Sequence, residues 1–150
     1  MTPVPRSALL LGLAGLLPFI WSVATQAAPS LSDWGLHSLG PRFIGPYVGL
    51  VYGTIILSFM SGVLWGFATR ATGRRATIGY SLSVIPALWA FKFVGNGPTS
   101  AALMLAIGFV GLMGLDYLFW RHRLAPIWWL QLRLILTAAV VACLSVTAFL

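Results

Sequence analysis

Long apolar segments alternate with short polar connections along the whole chain. Helical rise is about 1.5 Å per residue, so roughly 20 apolar residues cross the ~30 Å hydrocarbon core of a bilayer. The pattern therefore predicts an all-α membrane protein, a bundle of about five transmembrane helices that forms a single integral membrane domain over residues 1–150. The predicted helices cover residues 7–24, 45–69, 78–95, 99–120 and 127–149.

Glycines recur at helical spacing in two of the predicted helices. Because apolar side chains gain little from associating in lipid, membrane helices approach closely where small residues leave room. We therefore expect helix packing at two faces of the second helix and at one face of the fourth. The glycines concerned are Gly45, Gly49 and Gly53, then Gly62 and Gly66, then Gly108, Gly111 and Gly114.

The second helix also carries a polar stripe. At about 100° per residue, Thr54, Ser58, Ser61 and Trp65 fall within one narrow sector. Together with polar residues of the fourth and fifth helices, this stripe is a candidate lining for a polar path through the membrane.

The first apolar segment has two readings. Arg6 followed by an apolar run and the small-residue sequence Thr25–Ala27 resembles a cleaved signal peptide. The run is longer than the usual ~7–15-residue apolar core of such a peptide, and it contains an interfacial Trp21. We therefore expect a retained helix, kinked at Pro18.

The charged residues are few and unevenly placed. Only 7% of residues are charged against 59% hydrophobic, and nine basic residues face two acidic ones. The basic residues stand at the ends of apolar segments, which is typical of membrane orientation and argues against nucleic-acid binding. Five helices place seven basic residues on one side, against Arg42 and Lys92 on the other. The expected orientation is N-in and C-out.

Recognisable catalytic or metal-binding sets do not emerge from the sequence. Asp33 and His37 are four residues apart and could bind a metal weakly, but a solvated loop is the better interpretation. Cys143, the one cysteine, lies in an apolar run and is expected to be a buried small hydrophobe. We predict no enzyme activity, no metal and no cofactor.

One intramembrane charge pair is predicted. Asp116 lies five residues before Arg121, and Arg133 lies six residues into the fifth predicted helix, so both are about 7–9 Å inside the same end of the bundle. Isolated charges in the membrane are costly and usually pair or line a cavity. Asp116 and Arg133 are therefore expected either to fix the packing of two helices or to serve as a relay.

Two segments carry a family resemblance. Residues 52–68 (YGTIILSFMSGVLWGFA) and 128–142 (WWLQLRLILTAAVVA) resemble the transmembrane protein 69-like family, a membrane domain of unknown function found in bacteria and mitochondria. The N-terminal PRSALLLGLAGLLPF (5–19) is similar to bacterial members. The resemblance implies a multi-helix inner-membrane protein and implies no known activity.

Rich packing features beside sparse chemistry favour a non-enzymatic accessory, assembly or scaffold protein. Its expected partners are the lipid bilayer and either a second copy or another membrane protein. The alternative is a small transporter or ligand-binding channel along the second, fourth and fifth helices. An enzyme acting on lipid or quinone ranks third.

Overall fold

The computed structural model describes residues 3–150, and within that range the chain is helical with no β-strand. A short 3₁₀ helix, Pro41–Phe43, lies between the third and fourth α-helices. The α-helices are α1 (Arg6–Ala14), α2 (Leu17–Ala27), α3 (Pro29–Ser38), α4 (Pro46–Ala68), α5 (Gly73–Ser83), α6 (Ile85–Phe93), α7 (Pro98–Arg121) and α8 (Trp129–Phe149).

The first predicted helix is two helices, α1 and α2, that meet at a turn. Pro18 has no N–H and its ring disfavours a continuous helix, so the backbone tightens just before it. The N–H of Leu16 donates to the carbonyl of Leu13, a 3₁₀-type bond that spans three residues instead of the four of an α-helix. The expected kink thus lies at Gly15–Leu16, and the helical segment runs on to Ala27 rather than residue 24.

The third predicted helix is also broken, into α5 and α6 at Val84, ahead of Pro86. Its start at Gly73 precedes the predicted residue 78, because polar residues such as Arg74 continue a helix beyond its apolar part. The break leaves backbone N–H groups at the start of α6 without intrahelical acceptors. One of them, on Ala87, donates to Ser61 Oγ of α4 at 2.9 Å.

Contacts between helices fix their relative directions. Going along α4 from Ser61 to Ala68, the partners on α5 and α6 run backwards, from Ala87 to Gly79, so this pair is antiparallel to α4. Contacts between α4 and α7 run forwards in both, so those two helices are parallel. The α4–α7 contacts are Gly53 with Leu105 and Leu57 with Gly108.

Two polar clusters lie at opposite ends of the bundle. At one end, Arg70 Nη1 donates to the carbonyl of Leu124 at 3.3 Å, and Arg75 Nη2 lies 3.2 Å from His122 Nδ1. These contacts bring the α4–α5 and α7–α8 connections together. At the other end, Gln26 Nε2 donates to Thr147 Oγ1 at 3.1 Å and links α2 to α8.

The described residues contain four helical segments long and apolar enough to cross a membrane: Arg6–Ala27, Pro46–Ala68, Pro98–Arg121 and Trp129–Phe149. The α5–α6 pair is not among them. Large apolar side chains cover the outer surface, as in Phe91 at 88% exposed and Leu11 at 74%. An apolar surface of this extent is stable against lipid and unfavourable in water. The chain is an all-α membrane protein.

Candidate functional site

The charge pair lies in the interface between α7 and α8. Arg133 Nε donates to Asp116 Oδ2 at 2.8 Å, and Trp129 Nε1 donates to Asp116 Oδ1 at 2.9 Å. Asp116 is fully buried and Arg133 is 5% exposed. Both carboxylate oxygens therefore have a donor, and the negative charge is balanced by a cation in direct contact.

The fold brings these residues together because α7 and α8 are consecutive, antiparallel and joined by a short connection. Equal depth from the shared end then places Asp116 opposite Arg133. Trp129 is not among the site residues predicted from the sequence, and its bond to the carboxylate was not predicted. The available signal was its spacing, since a residue four positions before Arg133 lies on the same helix face.

Two polar atoms next to this pair have no partner. Arg133 Nη2 and Thr137 Oγ1 are buried and make no hydrogen bond. On other helices of the bundle, hydroxyls donate to their own backbone one turn back, as Thr54 of α4 does to the carbonyl of Leu50 at 2.9 Å. Thr137 does not, although such a bond is open to any helical threonine. An unsatisfied polar group is costly in a water-free interior, so this pair of donors calls for an explanation.

A cavity of about 330 Å³ adjoins the two residues that carry these donors. Arg133 and Thr137 line it from α8, together with side chains of α1, α2 and α4 and one aromatic ring of α7. The rest of its wall is almost entirely apolar. We call it the α8 cavity; its wall includes Leu11, Gly12, Phe19, Tyr52, Phe59 and Met60.

Three of the predicted glycines pack closely against other helices: Gly49, Gly53 and Gly108. A side-chain carbon added at Gly108 would lie 2.9 Å from both Leu57 and Trp89. Contacts below about 3.0 Å require the neighbours to move. These three glycines therefore let α2, α4, α6 and α7 approach one another without a gap.

The other five predicted glycines make no such contact within residues 3–150. Gly62, Gly66, Gly111 and Gly114 are exposed, and no atom of another segment lies within 4 Å of where their side chains would begin. They occupy the sides of α4 and α7 opposite the buried faces. Gly45 precedes α4 with φ of +72°, so it serves the turn into the helix rather than a packing face.

The polar stripe on α4 does not line an interior path. Thr54 and Ser58 donate to carbonyls of their own helix, and Ser58 is exposed. Trp65 is also exposed, with its ring 4.5 Å from that of Tyr80. Of the four residues only Ser61 is buried, and its hydroxyl accepts a hydrogen bond from the Ala87 N–H at the break between α5 and α6. A stripe on one helix face is thus divided between the surface and the interior.

The remaining candidate residues are isolated. His37 Nδ1 lies 2.7 Å from the backbone carbonyl of Asp33, one turn earlier in the short helix α3, so that ring nitrogen is engaged within its own helix. Cys143 is half-buried and has no disulfide partner. Across residues 3–150, no group of three or more His, Cys, Asp or Glu side chains is placed to hold a metal ion.

The fold and the buried α7–α8 ion pair define a polytopic helical membrane protein. Residues 4–149 match the family model described as Protein of unknown function (DUF3429), and the chain belongs to that family.

A curated relative gives the same assignment. The chain is 34% identical over 142 residues to Transmembrane protein 69 of Xenopus tropicalis, an alignment that covers 91% of this chain and 51% of the relative. The chain thus spans about half the length of the curated relative it matches. The resemblance read from the sequence is confirmed. No solved structure matches the chain.

Proposed function

We propose that this chain is a non-enzymatic accessory or assembly protein of the bacterial inner membrane, and that it holds a helical partner against α4. The observation that supports the proposal is the outward position of Gly62 and Gly66, where no atom of the described residues lies within 4 Å of an added side-chain carbon. We call these two residues the α4 glycine surface. In lipid, exposed glycines one turn apart let the backbone of a further helix approach closely.

The interior of the bundle supports the same proposal. Close contacts at Gly53 and Gly108 pack α4 tightly against α7, and the hydroxyls of Thr54 and Ser58 donate to their own helix. Small residues that close the interior and small residues that face outward serve packing in both places. The family description and the relative's name mention no reaction.

We further propose five membrane crossings, with the N-terminus in the cytoplasm. Because α4 and α7 are parallel, the chain has to return across the bundle between them, and the antiparallel α5–α6 pair makes that return. The polar start of α5 makes this crossing less apolar than the others. Basic residues then gather at the cytoplasmic end, where Arg70 and Arg75 meet the α7–α8 connection.

Co-purification tests the partner proposal. The tagged protein, extracted in mild detergent, is expected to bring a stoichiometric membrane protein with it or to elute as a dimer. Replacing both residues of the α4 glycine surface by Leu should abolish that association and leave the melting temperature of the monomer unchanged, since the new side chains meet nothing within the chain.

The matched control is Val51→Leu, an exposed position on the same side of α4 that carries no glycine. It should retain the association. A wild-type protein that purifies alone as a monomer contradicts the proposal. Equal association of wild type and the double variant would contradict it as well.

Reporter fusions test the crossings. A reporter active only in the cytoplasm should be silent after Leu150 and active in the connection between α4 and α5, around Arg70. Four crossings instead of five would reverse one of these two results.

A further inference from the structure

We propose that the α8 cavity binds an uncharged, carbonyl-bearing amphiphile from the bilayer, with the carbonyl oxygen accepting hydrogen bonds from Arg133 Nη2 and Thr137 Oγ1. The inference rests on a juxtaposition that neither the family nor the relative describes. The two residues that carry buried donors without partners, Arg133 and Thr137, line a cavity whose remaining wall is apolar.

The donors set the polar part of the ligand. Arg133 uses Nε on Asp116, and its Nη2 remains without an acceptor. Thr137 lies four residues further along α8, about 6 Å on the same face of the helix. Guanidinium nitrogen is always a donor, so the missing partner has to be an acceptor. One carbonyl oxygen has two lone pairs and can serve one or both groups.

The charge balance excludes an anion as the preferred ligand. Asp116 touches the guanidinium at 2.8 Å, so the pair as a whole is neutral. A carboxylate or phosphate entering the cavity would lose its hydration and would find no uncompensated cation. A ketone, quinone or ester carbonyl carries the acceptor without that cost.

The shape of the cavity sets the apolar part. At about 330 Å³ it is much larger than the ~30 Å³ share of a single water molecule, and its wall offers water few partners. A six-membered ring with the first carbons of a tail fits such a volume. The wall includes Leu11 and Phe59, which are 74% and 65% exposed, so the cavity opens between α1 and α4 toward the lipid.

Entry is easiest beside α1, because that helix has no buried residue. A ligand dissolved in the bilayer reaches the donors by displacing α1 slightly, without crossing water. Two sources supply the required chemistry, the headgroup of a quinone and the ester carbonyl of a diacyl phospholipid.

Matched ligand pairs test the proposal on the full-length protein in detergent. The first pair is decylubiquinone and decylbenzene, which differ in the ring carbonyls. The second is a diacyl phosphatidylethanolamine and its dialkyl ether analogue, which lacks the ester carbonyl. Unfolding is followed with a thiol-reactive dye that labels Cys143 as it becomes exposed.

One carbonyl compound is expected to raise the melting temperature in a saturable manner, and its carbonyl-free analogue to have little effect. The pair that responds identifies the source. Thr137→Val keeps the side-chain shape and removes the donor, so the apparent Kd should rise roughly threefold to tenfold, as for one lost hydrogen bond. Thr137→Ser keeps the hydroxyl and should bind the ligand as the wild type does. Val140→Phe should abolish binding by filling the cavity.

The matched control is Thr54→Val, whose hydroxyl donates to its own helix and should not affect the ligand. The inference is overturned if neither carbonyl compound stabilises the protein, or if each analogue stabilises it equally. Unchanged affinity in a folded Thr137→Val variant overturns it too. Should that variant fail to fold, loss of binding in Val140→Phe together with retention in Thr137→Ser carries the test.

Discussion

The two sides of α4 differ in how completely they are packed. Toward α7, Gly53 and Gly108 bring backbones together and Leu57 is fully buried between them. Toward α1, the α8 cavity separates the helices, and α1 itself buries no side chain. The closed side consists of complementary small and large residues, whereas the open side keeps two polar donors without partners. The difference separates the part of the bundle that stabilises the fold from the part that is available for binding.

The largest expected effect is at the ion pair in the interface between α7 and α8. Asp116→Asn or Arg133→Gln alone should lower the free energy of unfolding by about 3–5 kcal/mol, because each change leaves the other charge buried without its counter-ion. The double variant should recover much of the loss, since contacting residues are energetically coupled. Unfolding of all four proteins in mixed detergent micelles measures the coupling.

Strict additivity of the two single changes would show that the residues act independently and would contradict the pairing. A stable double variant that fails to rescue a deletion strain would instead assign at least one of the two residues a role beyond packing.

The closed side should resist enlargement. Gly53→Leu is expected to cost about 1–3 kcal/mol, because a side-chain carbon there already lies 3.1 Å from Leu105 and 3.3 Å from Phe19. Gly62→Leu on the same helix meets nothing within the chain and should change stability by less than about 0.5 kcal/mol. Equal melting temperatures for the two variants would mean that the closed side is looser than the contacts indicate.

The smallest effect is expected at the broken helix. Ser61→Ala removes the acceptor of the Ala87 N–H and should cost about 0.5–1.5 kcal/mol. Ser58→Ala is the control, because that hydroxyl is exposed and donates to its own helix. Hydrogen exchange at Ala87 gives a direct measurement, and it should accelerate in the first variant alone. Unaltered exchange would mean that the bond to Ser61 of α4 does not stabilise the break and that Pro86 alone accounts for it.

Most correct predictions came from two sequence features: the length of the apolar runs and the distance of the charged residues from the ends of those runs. The predicted helix 45–69 is Pro46–Ala68 in the structure, because its ends coincide with the ends of the apolar run. The contact of Asp116 with Arg133 followed from two depths measured from a shared end.

What stayed out of reach depends on neighbours rather than on spacing. Glycine periodicity showed that α4 has two small-residue faces, and only the position of α2 and α7 decides that Gly53 is inside and Gly62 outside. Similarly, nothing in the sequence around Thr137 shows that its hydroxyl forgoes the usual bond to its own backbone. The α8 cavity is formed by residues of five helices, so it depends on how those helices are placed and was not predicted.

The bond between Gln26 and Thr147 has a consequence for biosynthesis. It joins two helices separated by 121 residues, and α8 is synthesised after every other helix described here. During insertion α1 and α2 therefore enter the bilayer before α8, and Gln26 lacks its Thr147 partner until α8 arrives. The contact between α2 and α8 can form only once α8 is in the bilayer, so the docking of α8 is expected to follow the placement of α1 to α7.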